Sequence, residues 1–372
     1  MCMKKVLHIC NSYMRSKVHV ELYKRLDSLG LSQIIYSPER EEFDFDNSFE
    51  SKSTTIICSK VIKKYHSYAF RLKTVAILRD LEKKVKVNSI DCIHATTLFS
   101  DGVIAYKLSR KYGIPYIVAV RNTDVNVFLK MAPHLWGVMR KILLDASRVV
   151  FISPSIQDKL LSHCSIKDIK DRIEHKCIIQ PNGIDSFWLE HICENRKHSG
   201  HEVVYVGRFM ANKNLKVLID SITELKTEIP DIKLNLVGGG GELEEEIKQL
   251  AIKHRDVITF WGRIDDKNKL LEVYRKSDVF AMISKTETFG LVYIEALTQR
   301  CPVLYTKGQG IDGLFKENVG EGVDPMNIED VKNKLKSLLQ HTNEYYSLSD
   351  SDFSSFNWNV IAMRYYQLYS SI

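Results

Sequence analysis

Apolar residues in the first half of the chain fall in short runs separated by stretches of helical period. KVLHI at 5 to 9, DCIHA at 91 to 95, GIPYIVAV at 113 to 120 and RVVFIS at 148 to 153 are strand-sized. Between them HVELYKRLDSLG, a stretch ending at Tyr112 and another near 127 to 145 repeat apolar positions every three or four residues. This alternation of strands and helices predicts a parallel sheet covered on both faces. CIIQPNGID, Cys177 to Asp185, adds a strand and an Asn-Gly turn, and the polar stretch HICENRKHSG, His191 to Gly200, reads as a linker.

A second series begins at EVVYVGR and continues through NLKVLIDSITEL, whose apolar positions are 215, 218, 219, 222 and 225. KLNLVGGGG, VITFWGR, DVFAMIS and PVLYTK supply further strands with helices between them, which predicts a second doubly wound domain. After the Ser- and Asp-rich SLSDSDFSSF, the segment NWNVIAMRYYQLY has helical periodicity and predicts a terminal helix that docks on one of the domains.

A length of 372 residues, 44% apolar and 27% charged, suits two soluble domains with separate cores. The longest apolar runs are too short to span a bilayer, and the brief apolar part of MCMKKVLHICNSYM is too short for a signal peptide and reads as a first strand. Eight cysteines without a Cys-x-x-Cys pair suggest the reducing cytosol. His198-x-x-His201, near His191 and Cys193, lacks the paired framework of a metal site, so no metal is expected there. The net charge of +7 is concentrated: Lys60 to Lys86 holds seven lysines and two arginines against Asp80 and Glu82. Mixed with Ile62, Tyr65, Phe70, Val75 and Leu78, these charges suit basic amphipathic helices that settle on an anionic membrane surface; a solvated helix face is the plain alternative.

Candidate chemistry centres on ETFGLVYIE, Glu287 to Glu295. The apolar spacing after Gly290 predicts a helix whose free N–H groups and positive dipole end suit an anion. Glu287 precedes that turn and Glu295 projects from the second turn, about 7 Å further along the axis. VGRFMANKN places Arg208 and Lys213 after the first strand of the second domain, where open α/β sheets bind ligands. Two fixed cations there suit a leaving diphosphate; two surface cations are the plain alternative.

DCIHATTLFSDG, the VRNTDVN turn, PNGID, VGRFMANKN, WGR, ETFGLVYIEAL and GQGIDGLF together resemble, in order and over nearly the whole chain, the retaining glycosyltransferases of family 4. The resemblance implies an α/β chain of GT-B architecture: two Rossmann-like domains with a cleft between them and a C-terminal helix crossing back to the first. It implies an acceptor domain over 1–190 with helix 356–372, and a donor domain over 200–350. Such enzymes move a sugar from a nucleotide diphosphate to an acceptor hydroxyl with the anomeric configuration kept. Arg208 and Lys213 would hold the diphosphate, Glu287 the donor sugar and Glu295 the ribose hydroxyls. Phe289, Gly290 and Leu291 would offer backbone N–H groups, and Arg263 and Ile264 would flank the base. The donor is a substrate, so no cofactor and no metal are implied.

Two departures stand out. The first loop, CNSYMRSKVHV, lacks the Gly-Gly pair of many relatives, so Arg15 or Lys17 would help to approach the phosphates. Where relatives often carry His-Gly, this chain has Arg121-Asn122-Thr123-Asp124, which makes Asp124, Arg121 and His94 the acceptor-side candidates, with a packed core histidine the other role for His94.

Other classes fit less well. GGGG at 238 to 241 suggests a dinucleotide-dependent oxidoreductase, but Leu243 stands where the third glycine belongs. Asp44-Phe45-Asp46 is the metal-binding triplet of another glycosyltransferase type, yet it lies in an acidic loop with no strand before it. A sugar-nucleotide epimerase of the same architecture and a non-catalytic sugar-nucleotide-binding protein remain alternatives. The expectation is a cytoplasmic, peripheral glycosyltransferase, hexosyl or N-acetylhexosaminyl in class, using a UDP-sugar to build a cell-surface polysaccharide on a lipid-linked glycan, without nucleic-acid partners.

Overall fold

The computed structural model describes residues 4–40, 47–194, 196, 199–345 and 348–372. The chain divides into two units. One comprises residues 1–152, 156–183 and 358–372, and the other 153–155 and 184–357.

The first unit is built on seven strands: β1 Lys5–Ile9, β2 Ser32–Pro38, β3 Thr54–Ser59, β4 Cys92–Ala95, β5 Tyr116–Val120, β6 Arg148–Phe151 and β7 Cys177–Ile179. Their order is β3-β2-β1-β4-β5-β6-β7, and each pairing is parallel. The order reverses between β1 and β4, the switch point of a doubly wound sheet. Parallel strands are covered on both faces, which is why YIVAV of β5 is buried at every position. The helix Trp358–Ser370 belongs to this unit and packs Trp358, Ile361, Ala362, Tyr365 and Tyr369 into its core with Leu22, Tyr23 and Leu26 of the helix Lys17–Ser28.

The second unit has six strands: β8 Glu202–Gly207, β9 Lys233–Gly238, β10 Ile258–Gly262, β11 Val279–Ala281, β12 Val303–Thr306 and β13 Gly320–Val323. They run in the order β10-β9-β8-β11-β12-β13, again all parallel, with the switch point between β8 and β11. The helix Leu215–Leu225 buries Leu215, Leu218, Ile219, Ile222 and Leu225, the positions its periodicity marks.

One local expectation is corrected. The polar segment 191–200 is not a detached linker, because the Arg196 guanidinium donates to the carbonyls of Tyr274, Ser277 and Gln299. Those carbonyls lie at the ends of the helices Lys267–Lys276 and Leu291–Thr298, where backbone oxygens lack partners within the helix. The glycine run after β9 also has a structural cause. A Cβ on Gly238, which sits at φ +135°, would meet the Gly207 carbonyl oxygen at 1.9 Å, so the run lets β8 and β9 close up at their ends.

Candidate active site

β8 and β11 end side by side at the switch point of the second sheet, and the loops that follow them carry the candidate residues. After β8, Arg208 is exposed, and a 3₁₀ turn over Ala211–Lys213 leads into Asn214. Asn214 has left-handed backbone, φ 56° and ψ 32°, a conformation asparagine tolerates, and its amide donates to the Pro325 carbonyl at 2.6 Å. This turn starts the helix Leu215–Leu225 and aims Lys213 toward the loop after β11.

Lys213 Nζ lies 2.7 Å from Glu287 Oε2, with the two side chains 21% and 11% exposed. Glu287 Oε2 also accepts from the Ser284 hydroxyl at 3.2 Å, while Oε1 accepts the Thr288 N–H at 2.9 Å. The Glu287 backbone is held as well: its N–H donates to Gln309 Oε1 at 3.3 Å and its carbonyl accepts from Gly310 N–H at 3.3 Å. The carboxylate is therefore fixed by charge and by its own main chain.

Asn212 couples the two loops. Its amide donates to the Thr286 carbonyl at 2.7 Å, and its Oδ1 accepts from the Thr286 N–H at 3.1 Å and the Thr286 hydroxyl at 2.7 Å. The Lys285 N–H donates to the Asn212 carbonyl at 2.8 Å. These bonds join the residue before Lys213 to the residue before Glu287. Asn212 lies inside VGRFMANKN and Gln309 inside GQGIDGLF, but their spacing along the chain shows no sign of these partners.

Gly290, at φ 76°, caps the helix Leu291–Thr298, and a Cβ there would strike the Tyr293 ring at 2.5 Å. Phe289 is buried and Leu291 half-buried, so both act first through packing; the opening N–H groups of the helix have no acceptor within it. Glu295, partly exposed on the same helix, has its carboxyl pushed up to about 7, chiefly by burial and further by Asp185, against the Tyr274 hydroxyl and Lys267. The Tyr274 hydroxyl faces it at 3.5 Å. Asp185 itself caps the helix Ser186–Glu190 and pairs with Lys267 at 2.5 Å.

Arg263 and Ile264 follow β10, the edge strand two places from β8, or about 10 Å at the usual strand spacing. Arg263 is exposed and pairs with Asp265 at 2.8 Å. The structure thus joins Lys213 to Glu287 directly, sets Arg208 on the same turn and Glu295 on the adjoining helix, and leaves Arg263 and Ile264 at the edge of the same sheet.

The candidates of the first unit have other surroundings. His94 is the third residue of β4, opposite His8 in register. It is buried, with Nδ1 at 2.8 Å from the Tyr369 hydroxyl and its ring stacked on Tyr365. Burial, and next the positive charge of Arg121, lower its pKa to about 3. Asp124, the acceptor-side carboxylate candidate, is buried and bound to backbone. Oδ2 accepts from the N–H groups of Leu98 at 3.0 Å and Arg121 at 2.9 Å, and Oδ1 from Phe99 at 3.1 Å. Its pKa is pushed up to about 6, by burial against those N–H groups and the Arg121 charge. Arg121 bridges the loops after β4 and β7, donating through Nε to the Thr96 carbonyl at 3.2 Å and through Nη1 to Asn182 Oδ1 at 3.5 Å. In the first loop a 3₁₀ turn over Tyr13–Arg15 places the Arg15 guanidinium 4.0 Å from the nearly buried Glu39, and Lys17 opens the next helix.

Among the described residues no group of three or more His, Cys, Asp or Glu is placed to hold a metal ion, and no helix is long and apolar enough to cross a membrane. Asp44-Phe45-Asp46 and His198 lie outside the described residues.

Residues 16–186 match the model of Glycosyltransferase Family 4, and residues 189–351 that of Glycosyl transferases group 1. An uncharacterized glycosyltransferase of Methanocaldococcus jannaschii is 22% identical over 361 residues, covering 95% of this chain and 94% of that protein. Sucrose-phosphate synthase from Thermosynechococcus elongatus has a TM-score of 0.71 at 19% identity, covering 99% of this chain and 98% of its own. An Anabaena protein in complex with UDP and glucose has a TM-score of 0.64 at 15% identity, covering 99% and 100%. These likenesses show the GT-B fold of two Rossmann-like domains. Matched over both halves in order, the chain is a glycosyltransferase and belongs to family 4.

Proposed function

We propose that this glycosyltransferase is retaining and moves a hexosyl or N-acetylhexosaminyl group from a UDP-sugar to a hydroxyl of a lipid-linked glycan. The observation that carries the donor side is the Lys213–Glu287 pair at the β8/β11 switch point, with Arg208 exposed on the same turn. Arg208 and Lys213 meet the diphosphate, whose negative charge grows as its bond to the anomeric carbon breaks, and the opening N–H groups of the helix Leu291–Thr298 add positive potential. Glu287, held by Lys213 and Ser284, receives hydroxyls of the sugar. Glu295 receives the ribose, and Arg263 and Ile264 border the base. The presence of UDP and glucose in the structurally similar Anabaena protein supports a UDP-sugar donor. The enzyme acts in the cytoplasm at the inner face of the membrane, in cell-surface polysaccharide synthesis.

A thermal-shift screen with UDP-, GDP- and ADP-sugars tests the donor, since a bound ligand stabilises the folded state. Lys213→Ala and Arg208→Ala should each lower turnover about 10²-fold, with transfer persisting in EDTA because these cations already supply charge at the diphosphate. Near-wild-type turnover in either variant would remove that residue from the site. Turnover of a UDP-sugar to its epimer without any acceptor would replace transfer by epimerisation.

A further inference from the structure

Within Lys60–Lys86 the structure has a 3₁₀ turn over Lys64–Ser67 and a helix over Phe70–Lys84. The helix buries Thr74, Ile77 and Leu81 against its own unit. Its outward side carries Leu72, 59% exposed, and Val75, also exposed, between Arg71 and Arg79. Tyr65, in the 3₁₀ turn, and Tyr68, 96% exposed just after it, lead into the helix and add two more exposed rings. A second apolar element joins it. The Phe70 ring meets Phe128 with centroids 6.5 Å apart, and Phe128 stacks on the buried Phe99. That contact sets the short helical segment 124–131 beside the start of the long helix, with Val127 exposed and Met131 78% exposed.

Large apolar side chains exposed on two adjoining elements are uncommon unless something covers them. Charge identifies the cover. Lys63, Lys64, Arg71, Arg79 and Lys130 are all exposed around the stripe. The two acids of the segment are used elsewhere: Asp80 accepts from Tyr36 and Ser59 and pairs with Lys84, and Glu82 binds Lys111 and Tyr112. A second copy of so basic a face would be repelled. An anionic lipid surface attracts the cations, accepts single apolar side chains among its acyl chains, and suits tyrosines at the boundary.

We propose that Tyr65, Tyr68, Leu72, Val75, Val127 and Met131 form a wedge that enters an anionic membrane, held there by the surrounding lysines and arginines. Attachment has two parts: a salt-sensitive electrostatic part and an apolar part that salt does not screen. A lipid-linked acceptor would give the surface its purpose. Vesicle binding is measured without donor or acceptor, so its failure and that of the transfer reaction are distinguishable.

The test is co-sedimentation of the full chain with phosphatidylcholine vesicles, with and without phosphatidylglycerol, over a salt series. The wild-type protein should sediment only with the anionic vesicles and keep a bound fraction as salt rises. Replacing Lys63, Lys64, Arg71 and Arg79 by Glu should abolish binding. Replacing Tyr68, Leu72 and Met131 by Ser should leave binding at low salt and lose it at physiological salt, with an apparent affinity there lower by about tenfold or more. Tyr68→Trp, a conservative change at an exposed site, should show a blue shift in emission on anionic vesicles, and UDP binding should be unchanged in every variant. Absence of wild-type binding at low salt overturns the proposal and leaves an acidic protein as the partner. Serine variants that bind like the wild type at every salt concentration, or Tyr68→Trp emission that stays unshifted, overturn the wedge.

Discussion

The ion pair between Lys213 and Glu287 is the sharpest place to test the site. At 2.7 Å, with 21% and 11% exposure, it is neither a surface pair nor a fully buried one. At an effective dielectric near 20, unit charges at that separation attract by about 6 kcal/mol, most of which desolvation offsets. Lys213→Met removes the charge, which lies 3.7 Å from Met282 Sδ, and among the described residues it leaves the Glu287 carboxylate with the Ser284 hydroxyl and the Thr288 N–H. Its cost should be about 2–3 kcal/mol, that of Glu287→Gln about 1–2, and the double variant should cost about 2 less than the two together. Urea unfolding of the nucleotide-free protein measures all three. The diphosphate competes for Lys213 in the proposed reaction, so saturating UDP should shrink the coupling. Additivity within about 0.5 kcal/mol, or a coupling that UDP leaves unchanged, would refute a shared role for the pair.

Three further outcomes are expected. Asn212→Ala removes the bonds that join Lys213 to the Glu287 loop, so kcat should fall about tenfold or more while UDP affinity moves less than about threefold; an effect confined to affinity would make Asn212 a binding residue. The Glu295 carboxyl is raised to about 7 in the free protein, and in the proposed reaction its ionised form accepts from the ribose hydroxyls. UDP affinity should therefore weaken as pH falls through 7, and calorimetry on Glu295→Gln should find a flat profile; an unaltered profile places the titrating group elsewhere. His94 is neutral in the fold, with its pKa lowered from 6.5 to about 3, so the unfolded chain takes up the proton first as pH falls below 6.5. The wild-type protein should lose about 2 kcal/mol between pH 7 and 5 that His94→Gln does not lose, and equal losses in urea midpoints would show that His94 is not the buried neutral group described.

The two doubly wound sheets were legible because buried parallel strands read as apolar runs and the helices between them keep a period near 3.6. β2 and β3 went unread, and so did β13, since GEGV has one large apolar side chain and is a strand by virtue of its parallel pairing with β12. Lys213 and Glu287 were legible as motif members, but their direct contact joins positions 74 apart, a distance no local pattern encodes. For Asp124 the sequence placed a carboxylate after β5 and could not show three backbone N–H groups already turned toward it. Arg196 was misread because a polar stretch looks the same whether its arginine meets water or the carbonyl ends of two helices.

The helix Trp358–Ser370 reaches its place about 175 residues after the rest of its unit has been made. At the usual 5–20 residues per second, that interval is on the order of 10–30 s on the ribosome. Throughout it, the seat formed by Tyr23, His94 and their apolar neighbours stands uncovered, while the whole second unit emerges between the two parts of the first. The core of the first unit therefore gains this helix only after the whole second unit has been made. A nascent chain cut between β13 and Trp358 would carry both sheets and yet expose a sticky surface, making such fragments natural clients of chaperones and proteases.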